Sequence, residues 1–284
     1  MSAQDTDFSS KKERIFDQKA NPMIMGILNV TPDSFHDGGR YTTEDKWLAQ
    51  ADEMISLGAD IIDIGAYSSR PGAQHISEEE ESDRLLKTVS SVREHFPETL
   101  ISVDTFRSRI ARDAVSCGAN IINDISGGTL DEKMFETVAE LKVPYILMHI
   151  KGTPQDMQLN PTYEYVVKEV FEFLRERLGQ LRAMGLTEII LDPGFGFGKT
   201  VDHNFELLRH LDKITELGYP VLVGISRKSI VNKLLNISSK DSINGTSVLN
   251  TIALQKGARI IRVHDVREAK EVITILSKIK SADH

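Results

Sequence analysis

Eight short runs of apolar residues recur along the chain, and each is followed by a segment with the 3.6-residue apolar period of an amphipathic helix. Within the runs the apolar positions are continuous rather than alternating, which is typical of parallel strands covered on both faces. The runs predict strands at 23–29, 60–65, 100–104, 120–124, 144–149, 188–192, 220–225 and 258–264. The periodic segments predict helices at roughly 43–57, 77–95, 107–117, 131–141, 162–184, 202–217, 242–256 and 266–281.

Eight strand–helix units without a linker or a low-complexity break predict a single (β/α)8 TIM barrel over residues 21–284. The length of 284 residues suits one such barrel. A doubly wound open sheet is the alternative with the same strand pattern. Residues 1–20 are polar and charged, and they are predicted to form a flexible N-terminal tail.

Most of the predicted strands end in a polar residue, although their cores are apolar. Barrel enzymes build their active sites at this end of the strands, from the strand tips and the loops that follow. One terminal Asp or Asn often only caps a loop, so the argument depends on the whole set. The set predicts an active site and consists of Asn29, Asp63, Asp104, Asn123, His149, Asp192, Ser226, Arg262 and His264.

Composition excludes several classes of protein. The chain has 34 basic and 42 acidic residues and a formal charge of −8, without a basic stripe, which argues against a nucleic-acid partner. Cys117 is the only cysteine, so an internal disulfide is impossible and a reducing cytoplasm is expected. No run approaches 18 apolar residues, and the N-terminal segment lacks a signal-peptide core, so no membrane association is expected.

The sixth predicted strand leads into a loop in which three glycines alternate with two phenylalanines and then Lys199-Thr200. A phosphate-binding loop requires a glycine where this chain has Pro193, so that motif does not match. The stretch instead predicts a buried strand that delivers the Asp192 carboxylate to its end, followed by a loop with aromatic rings.

Several segments resemble the signatures of the dihydropteroate synthase family. Residues 25–35 (Met-Gly-Ile-Leu-Asn-Val-Thr-Pro-Asp-Ser-Phe) are similar to its first signature, and residues 63–73 are similar to its second. The resemblance continues through 102–105, 121–124, 147–149, 192–199, 224–229 and 262–266. It extends over roughly 21–275, and the first signature and the Ser-Arg-Lys-Ser block at 226–229 are its most specific parts.

The resemblance implies an enzyme that joins 6-hydroxymethyl-7,8-dihydropterin pyrophosphate to 4-aminobenzoate, with Mg²⁺ as cofactor and pyrophosphate as the second product. It also implies a cytoplasmic homodimer that sulfonamides inhibit. By resemblance, the pterin-binding residues are Asp104, Asn123, Met148, Asp192, Lys228 and Arg262. The pyrophosphate-binding residues are Asn29, Ser69, Arg70, Arg262 and His264, with Mg²⁺ at Asn29. The aminobenzoate-binding residues are Phe35, Pro71, Phe197, Lys228 and Ser229. Catalysis is assigned to Asp104, Asp192, Lys228, Arg262 and His264.

The residue types suit these roles. Arg262 and His264 lie two apart on one strand, so both side chains can face the same anion. Ser226-Arg227-Lys228-Ser229 is predicted to open a helix, whose free N–H groups favour a carboxylate.

The chain departs from the family pattern at three places. Ala66-Tyr67-Ser68-Ser69 stands where Gly-Glu-Ser-Thr is usual, His36 replaces a serine, and Ile150-Lys151 is unusual, so the fifth loop has no assigned role.

Two other functions fit the same barrel. A pterin-dependent methyltransferase would share the pterin-binding acid and asparagine but would not need Ser-Arg-Lys-Ser or Arg-Val-His. A catalytically silent pterin-binding paralogue would not need to retain Asn29, Asp104, Arg262 and His264 together.

Overall fold

Parallel strands alternate with helices throughout the computed structural model, which describes residues 3–30, 43–67 and 76–282. The strands are β1 (Met23–Asn29), β2 (Ile61–Gly65), β3 (Leu100–Asp104), β4 (Ile121–Asp124), β5 (Tyr145–Met148), β6 (Ile189–Asp192), β7 (Leu222–Val223) and β8 (Ile260–Val263). The helices are α1 (Ala3–Phe16), α2 (Thr43–Ser56), α3 (Glu78–His95), α4 (Ser108–Ser116), α5 (Met134–Leu141), α6 (Val166–Ala183), α7 (Val201–Arg209), α8 (Leu211–Thr215), α9 (Ser229–Leu235), α10 (Ile243–Gln255) and α11 (Val266–Ser281). A 3₁₀ turn at Ser239–Asp241 precedes α10.

The eight strands form one sheet in the order β6-β5-β4-β3-β2-β1-β8-β7. A parallel bridge between Leu191 of β6 and Val221, which precedes β7, brings the two ends of this order together. The structure therefore confirms the (β/α)8 barrel, and the doubly wound open sheet is wrong.

The barrel interior is layered. The layer at the N-terminal ends of the strands is apolar and buried, and every strand contributes to it, because alternate strand residues face inward. Its members are Met23, Met25, Ile61, Leu100, Ile121, Ile146, Ile190, Leu222 and Ile260. A larger apolar cluster packs the outward strand faces against the helices. The polar strand residues lie above the apolar floor, at the end where the site is expected.

Within the segment predicted as a flexible tail, the structure describes residues 3–20. Residues 3–16 form α1, and Ile15 is buried in the same cluster as the apolar floor, with Phe16 packed against it. Arg259 holds this segment further, because its guanidinium donates to the backbone carbonyls of Arg14 and Asp17. The segment closes the bottom of the barrel, and the physical reason is the burial of Ile15.

Several elements are shorter than predicted, and the largest differences are at β7 and at the helix that follows β6. The strand predicted at 220–225 is regular only at Leu222–Val223, and the helix predicted at 202–217 is divided into α7 and α8. Among the described helices, none is both long enough and apolar enough to cross a membrane.

Candidate functional site

The centre of the site is a chain of charged and polar groups inside the barrel. Arg262 of β8 donates from Nε to Asp63 of β2 over 2.6 Å and from Nη2 to Asp104 of β3 over 2.9 Å. Asn123 of β4 donates from its amide to the same Asp63 oxygen over 3.1 Å. Four strands are thus connected across the barrel by one guanidinium, two carboxylates and one amide.

Burial changes the proton affinity of this cluster. It raises the pKa of the Asp104 carboxyl to about 7, with Arg262 opposing the shift and Asp63 adding to it. Burial alone would lower the pKa of the Arg262 guanidinium, but Asp63 and Asp104 raise it above its ordinary value. Arg262 is therefore a fixed cation, and Asp104 is the group whose charge changes near neutral pH.

A second charged pair lies at the ends of β6 and β7. Burial raises the pKa of the Asp192 carboxyl, whereas Lys228 and the Gly194 N–H lower it. Burial lowers the pKa of the Lys228 ammonium to about 8, with Asp192 opposing that shift. Lys228 donates to the Phe195 carbonyl over 2.7 Å and lies 4.4 Å from the centre of the Phe197 ring.

The loop after β6 is held tightly against the end of β5. A side chain at Gly194, where φ is +71°, would place its Cβ 1.9 Å from the His149 carbonyl oxygen. Lys199 is 3% exposed, and its Nζ contacts the Gly194 carbonyl (2.9 Å), the Phe197 carbonyl (3.1 Å) and His149 Nδ1 (2.9 Å). The glycines therefore allow close backbone approach, and Lys199 holds the loop rather than a phosphate.

An apolar cluster forms one wall of the mouth of the barrel. Phe197 is buried there with residues from the ends of β4 and β5 and from the loop after β5, and Phe106 packs against them. The buried members are Ile125, Met148, Ile150, Met157 and Phe197. Since Met148 and Phe197 share this wall, the site combines one apolar face with the charged groups described above.

The unusual residues of the second and fifth loops pack against other loop side chains. Tyr67 packs edge-on against Phe106 with ring centres 5.2 Å apart, and its hydroxyl accepts a hydrogen bond from Gln155 over 2.5 Å. Ile150 belongs to the apolar wall, whereas Lys151 lies 4.2 Å from the centre of the Tyr163 ring. The Tyr67 position therefore connects the loops after β2, β3 and β5.

The other sequence-predicted residues that the structure describes lie at the ends of β1 and β8 and at the start of α9. Asn29 ends β1 and is partly exposed, and Lys228 and Ser229 are the cap and first residue of α9. His264 follows β8, and its Nδ1 lies 3.1 Å from Ser226 Oγ. Phe35, Ser69, Arg70 and Pro71 lie outside the described residues, as do Ser68 and His36.

Two residues of the candidate site, Asp63 and Lys199, had no specific role in the interpretation of the sequence. Asp63 is fully buried, and within the described part of the chain its second oxygen, Oδ1, has no hydrogen-bond partner, like the nearby Ser102 Oγ. The signal was present, because Asp63 interrupts an otherwise apolar strand. A buried carboxylate in that position must have a cationic or hydrogen-bonding partner. Which residue supplies it depends on the packing of the barrel, here Arg262, 199 residues away in the chain.

The geometry suits a planar, polar ligand with an anionic group. Buried carboxylates and an amide offer acceptors and donors deep in the barrel, and an apolar wall offers a surface for a ring. Arg262 and Lys228 offer positive charge, and the His264 imidazole is a further polar group.

Comparison with known proteins agrees with this description. Residues 25–264 match the pterin binding enzyme family. A dihydropteroate synthase of Streptococcus pyogenes is 44% identical over 265 residues, which cover 92% of this chain and 97% of that protein. The Yersinia pestis dihydropteroate synthase, solved in complex with a sulfonamide drug, is 41% identical with a TM-score of 0.85, covering 92% of this chain and 95% of that one. The Xanthomonas albilineans enzyme, solved with 4-aminobenzoic acid, is 38% identical with a TM-score of 0.86, covering 92% and 93%.

These relatives are synthases, so they favour that activity over a pterin-dependent methyltransferase or a silent pterin-binding protein. The family match spans most of the chain, and the relatives cover its barrel from end to end. The chain therefore belongs to the pterin binding enzymes and, within them, to the dihydropteroate synthases, the transferases of folate biosynthesis that join a dihydropterin pyrophosphate to 4-aminobenzoate.

Proposed function

We propose that the C-terminal end of this barrel performs the family's reaction with the residues described above in specific roles. The observation that supports the proposal best is the Asp63–Arg262–Asp104 cluster with Asn123 beside it. Buried groups of this kind need partners, and a ligand edge that supplies them is selected over one that leaves them unpaired.

The pterin ring lies over this cluster. Asp104, Asn123 and Asp192 hydrogen-bond the donors and acceptors of its edge, and Lys228 adds a donor from the side of β7. Met148, in the apolar wall, packs against the ring face. Asp63 Oδ1 and Ser102 Oγ, on register-paired residues of β2 and β3, lack hydrogen-bond partners among the described residues. A bound water is proposed to satisfy them.

The pyrophosphate lies at the junction of β1 and β8. Arg262 supplies positive charge, and His264 and Asn29 supply polar side chains. The family resemblance assigns Ser69 and Arg70, which lie outside the described residues, to the same anion. Because two carboxylates already contact Arg262, the guanidinium is held in one orientation before the substrate arrives. This preorganisation favours binding of charge that develops during the reaction.

Mg²⁺ fits this arrangement only as an ion that arrives with the pyrophosphate. Among the described residues, no group of three or more His, Cys, Asp or Glu side chains could hold a metal. Asn29 offers a single amide oxygen, and Mg²⁺ commonly binds through one or two protein oxygens together with phosphate oxygens and waters. When bound there, the ion would neutralise charge on the leaving pyrophosphate.

The aminobenzoate ring packs against Phe197. The family resemblance assigns Phe35 and Pro71, which lie outside the described residues, to the same ring. Its carboxylate lies at the start of α9, where Lys228 caps the helix and Ser229 is the first helical residue. The aminobenzoate is thereby held beside Lys228, which also contacts the pterin, so the two substrates meet at this residue.

The reaction is an SN1-like substitution at the pterin methylene carbon. The carbon–oxygen bond to pyrophosphate breaks first, and Arg262 and His264 stabilise the charge on the departing anion. Asp104 and Asp192 stabilise the transiently cationic pterin. The neutral amine of aminobenzoate then forms the carbon–nitrogen bond and releases its proton to solvent. No strong base is required, because this amine is unprotonated at neutral pH.

The enzyme is proposed to be a cytoplasmic homodimer that sulfonamides inhibit. Exposed apolar side chains on neighbouring outer helices support a second copy as partner: Val248 of α10 and Ile275 and Ile279 of α11. Sulfonamides resemble aminobenzoate and would occupy its pocket, and the Yersinia pestis enzyme was solved in complex with a drug of this class.

The test is release of pyrophosphate from the two substrates by purified protein. Asp192→Asn and Arg262→Ala are expected to lower kcat/KM at least about 100-fold each, since both remove charge from a buried site. Asp202→Asn and Arg112→Ala, at exposed positions on α7 and α4, are the matched controls. If the two site variants keep turnover within a few-fold of wild type, the assigned roles are wrong.

A further inference from the structure

Arg227 has an unusual backbone conformation for a residue between two site residues. Its φ is +55°, and the other described non-glycine residues with positive φ are Lys142 and Asn236. Those two are helix C-caps, where a left-handed residue is expected. Arg227 instead lies between Ser226 and Lys228, before α9 begins. Such a conformation persists where the surroundings hold it, and it is often found at functional sites.

The surroundings of Arg227 bond its backbone and its side chain. Its N–H donates to Thr246 Oγ1 over 3.3 Å, and its carbonyl accepts from the Asn232 amide over 3.2 Å. Its guanidinium donates from Nε to Asp265 Oδ2 over 3.0 Å and from Nη2 to Asp265 Oδ1. The side chains are 32% and 10% exposed respectively, so this two-point ion pair is partly shielded from water.

The ion pair connects two strand ends that carry site residues. Arg227 directly precedes Lys228, and Asp265 directly follows His264 and caps α11. Ser226, on the other side of Arg227, lies 3.1 Å from His264 Nδ1 and also accepts the His264 N–H over 3.1 Å. The turns after β7 and β8 are therefore joined twice, once through Ser226 and His264 and once through Arg227 and Asp265.

We propose that Arg227 and Asp265 are positioning residues that fix Lys228 and His264 relative to each other, rather than ligands of either substrate. The carboxylate of Asp265 neutralises the guanidinium and occupies two of its donors. Arg227 is therefore not available to bind the anionic group of a substrate. Lys228 supplies that charge instead. The inference rests on the proposed function, because it concerns where the two substrate-binding turns are held.

The test compares substitutions at Arg227 that separate the contribution of its left-handed backbone conformation from that of its side chain. Arg227→Gly keeps a residue suited to positive φ but removes the ion pair, whereas Arg227→Ala removes both. Lys142→Gly and Lys142→Ala are matched controls, because Lys142 has the same φ of 55° at an exposed helix end. Asp265→Asn removes the charge of the partner with little change in shape. Steady-state pyrophosphate release and the urea midpoint are measured for each protein.

We expect Arg227→Gly, Arg227→Ala and Asp265→Asn to lower kcat/KM for aminobenzoate on the order of 10- to 100-fold, since small misplacements of reacting groups have effects of this size. The KM for aminobenzoate should rise and kcat should fall, while affinity for 6-hydroxymethylpterin changes less, because Asp104, Asn123 and Asp192 come from other strands. Both Lys142 variants should keep wild-type kinetics whatever their urea midpoints.

Three results would overturn the inference. Wild-type kinetics in Arg227→Gly would show that only the backbone conformation matters. Wild-type kinetics in Asp265→Asn would show that the ion pair has no role in positioning. If the wild-type protein is inactive, both the proposed function and this inference are wrong. If the wild type is active and the variants are unaffected, only the inference is wrong.

Discussion

Substitution of Asp63 leads to a specific prediction about pH. Burial first, and then the nearby negative charge of Asp63, raise the pKa of Asp104, whereas Arg262, which contacts both carboxylates, lowers it. In Asp63→Asn the amide oxygen can still accept from Arg262, but the negative charge is gone. The pKa of Asp104 should therefore fall from about 7 toward its ordinary value. If the reaction requires Asp104 as a carboxylate, wild-type activity is lost as the pH falls through about 7, and the variant should stay active to lower pH.

The size of the effect follows from the geometry. Two carboxylates that contact one guanidinium lie about 6 Å apart, and with an effective dielectric constant of ~20 their charges interact by about 3 kcal/mol. At about 1.4 kcal/mol per pKa unit this corresponds to about two units, so with screening by Arg262 and water we expect roughly one to two. The loss of stability should be only about 1–2 kcal/mol, because Asp104 remains as the partner of Arg262, whereas an unpaired buried charge costs about 3–5 kcal/mol.

The assay is kcat/KM for pyrophosphate release between pH 5 and 9, with urea unfolding of the same proteins. Asp60→Asn is the control, since Asp60 lies at the opposite end of the β2 segment and accepts the Ile24 N–H over 2.9 Å. The Asp60→Asn substitution should leave the pH at which kcat/KM falls on the acidic side unchanged. The reasoning is refuted if the acidic limb in Asp63→Asn stays within about 0.3 pH units of wild type, well below the expected shift.

Three further predictions concern the floor, the loop and a buried lysine. Ile15→Ala should lower the free energy of unfolding by about 2–4 kcal/mol in urea titrations with unchanged kcat, and a loss below about 1 kcal/mol would mean that α1 does not close the barrel in solution. Gly194→Ala should lower both the urea midpoint and kcat/KM, because its Cβ would lie 1.9 Å from the His149 carbonyl oxygen. Gly185→Ala, with φ of +87° and no described neighbour within 4 Å, should lower stability only through backbone strain. Equal effects at both glycines would contradict the close approach of Gly194 to the His149 carbonyl. Burial lowers the pKa of Lys199 from 10.5 to about 7, so between these values the unfolded chain holds a proton that the folded protein releases, and wild-type stability gains from this group as the pH rises. Lys199→Met lacks that contribution, and a pH-independent difference in unfolding free energy between the two proteins would refute it.

The barrel was predictable because its information is local. Continuous apolar runs identify strands, helical periods identify the segments between them, and eight units close in one way. The apolar floor follows from alternation along each strand once the barrel is known. The docking of α1 was not predictable, because a mostly polar segment gains its stability from the burial of Ile15 and from contacts with Arg259, far away in the chain.

The site was predictable as a set of strand tips but not as a network. Asp104, Asp192 and Arg262 stand out in the sequence as polar residues that end apolar runs. Their pairing depends on register across the barrel: Asp63 and Ser102 are register partners, and Asp104 pairs with Gly65, whose missing side chain leaves room beside it. The role of Arg227 also depends on a contact outside its own motif, so the Ser-Arg-Lys-Ser block alone suggested an anion ligand.

The closure between β6 and β7 gives the barrel a mechanical property that its other strand junctions lack. The other strand ladders contain two to five residue pairs, whereas here a single bridge joins Leu191 to Val221 and β7 itself has only two residues. Local opening should begin where the fewest backbone hydrogen bonds must break. That seam separates Asp192 from Lys228, the two residues between which the substrates are proposed to meet. We therefore expect the barrel to open most easily between Asp192 and Lys228, where the reactants are proposed to be joined. Such local opening would widen the site while the apolar floor stays in place.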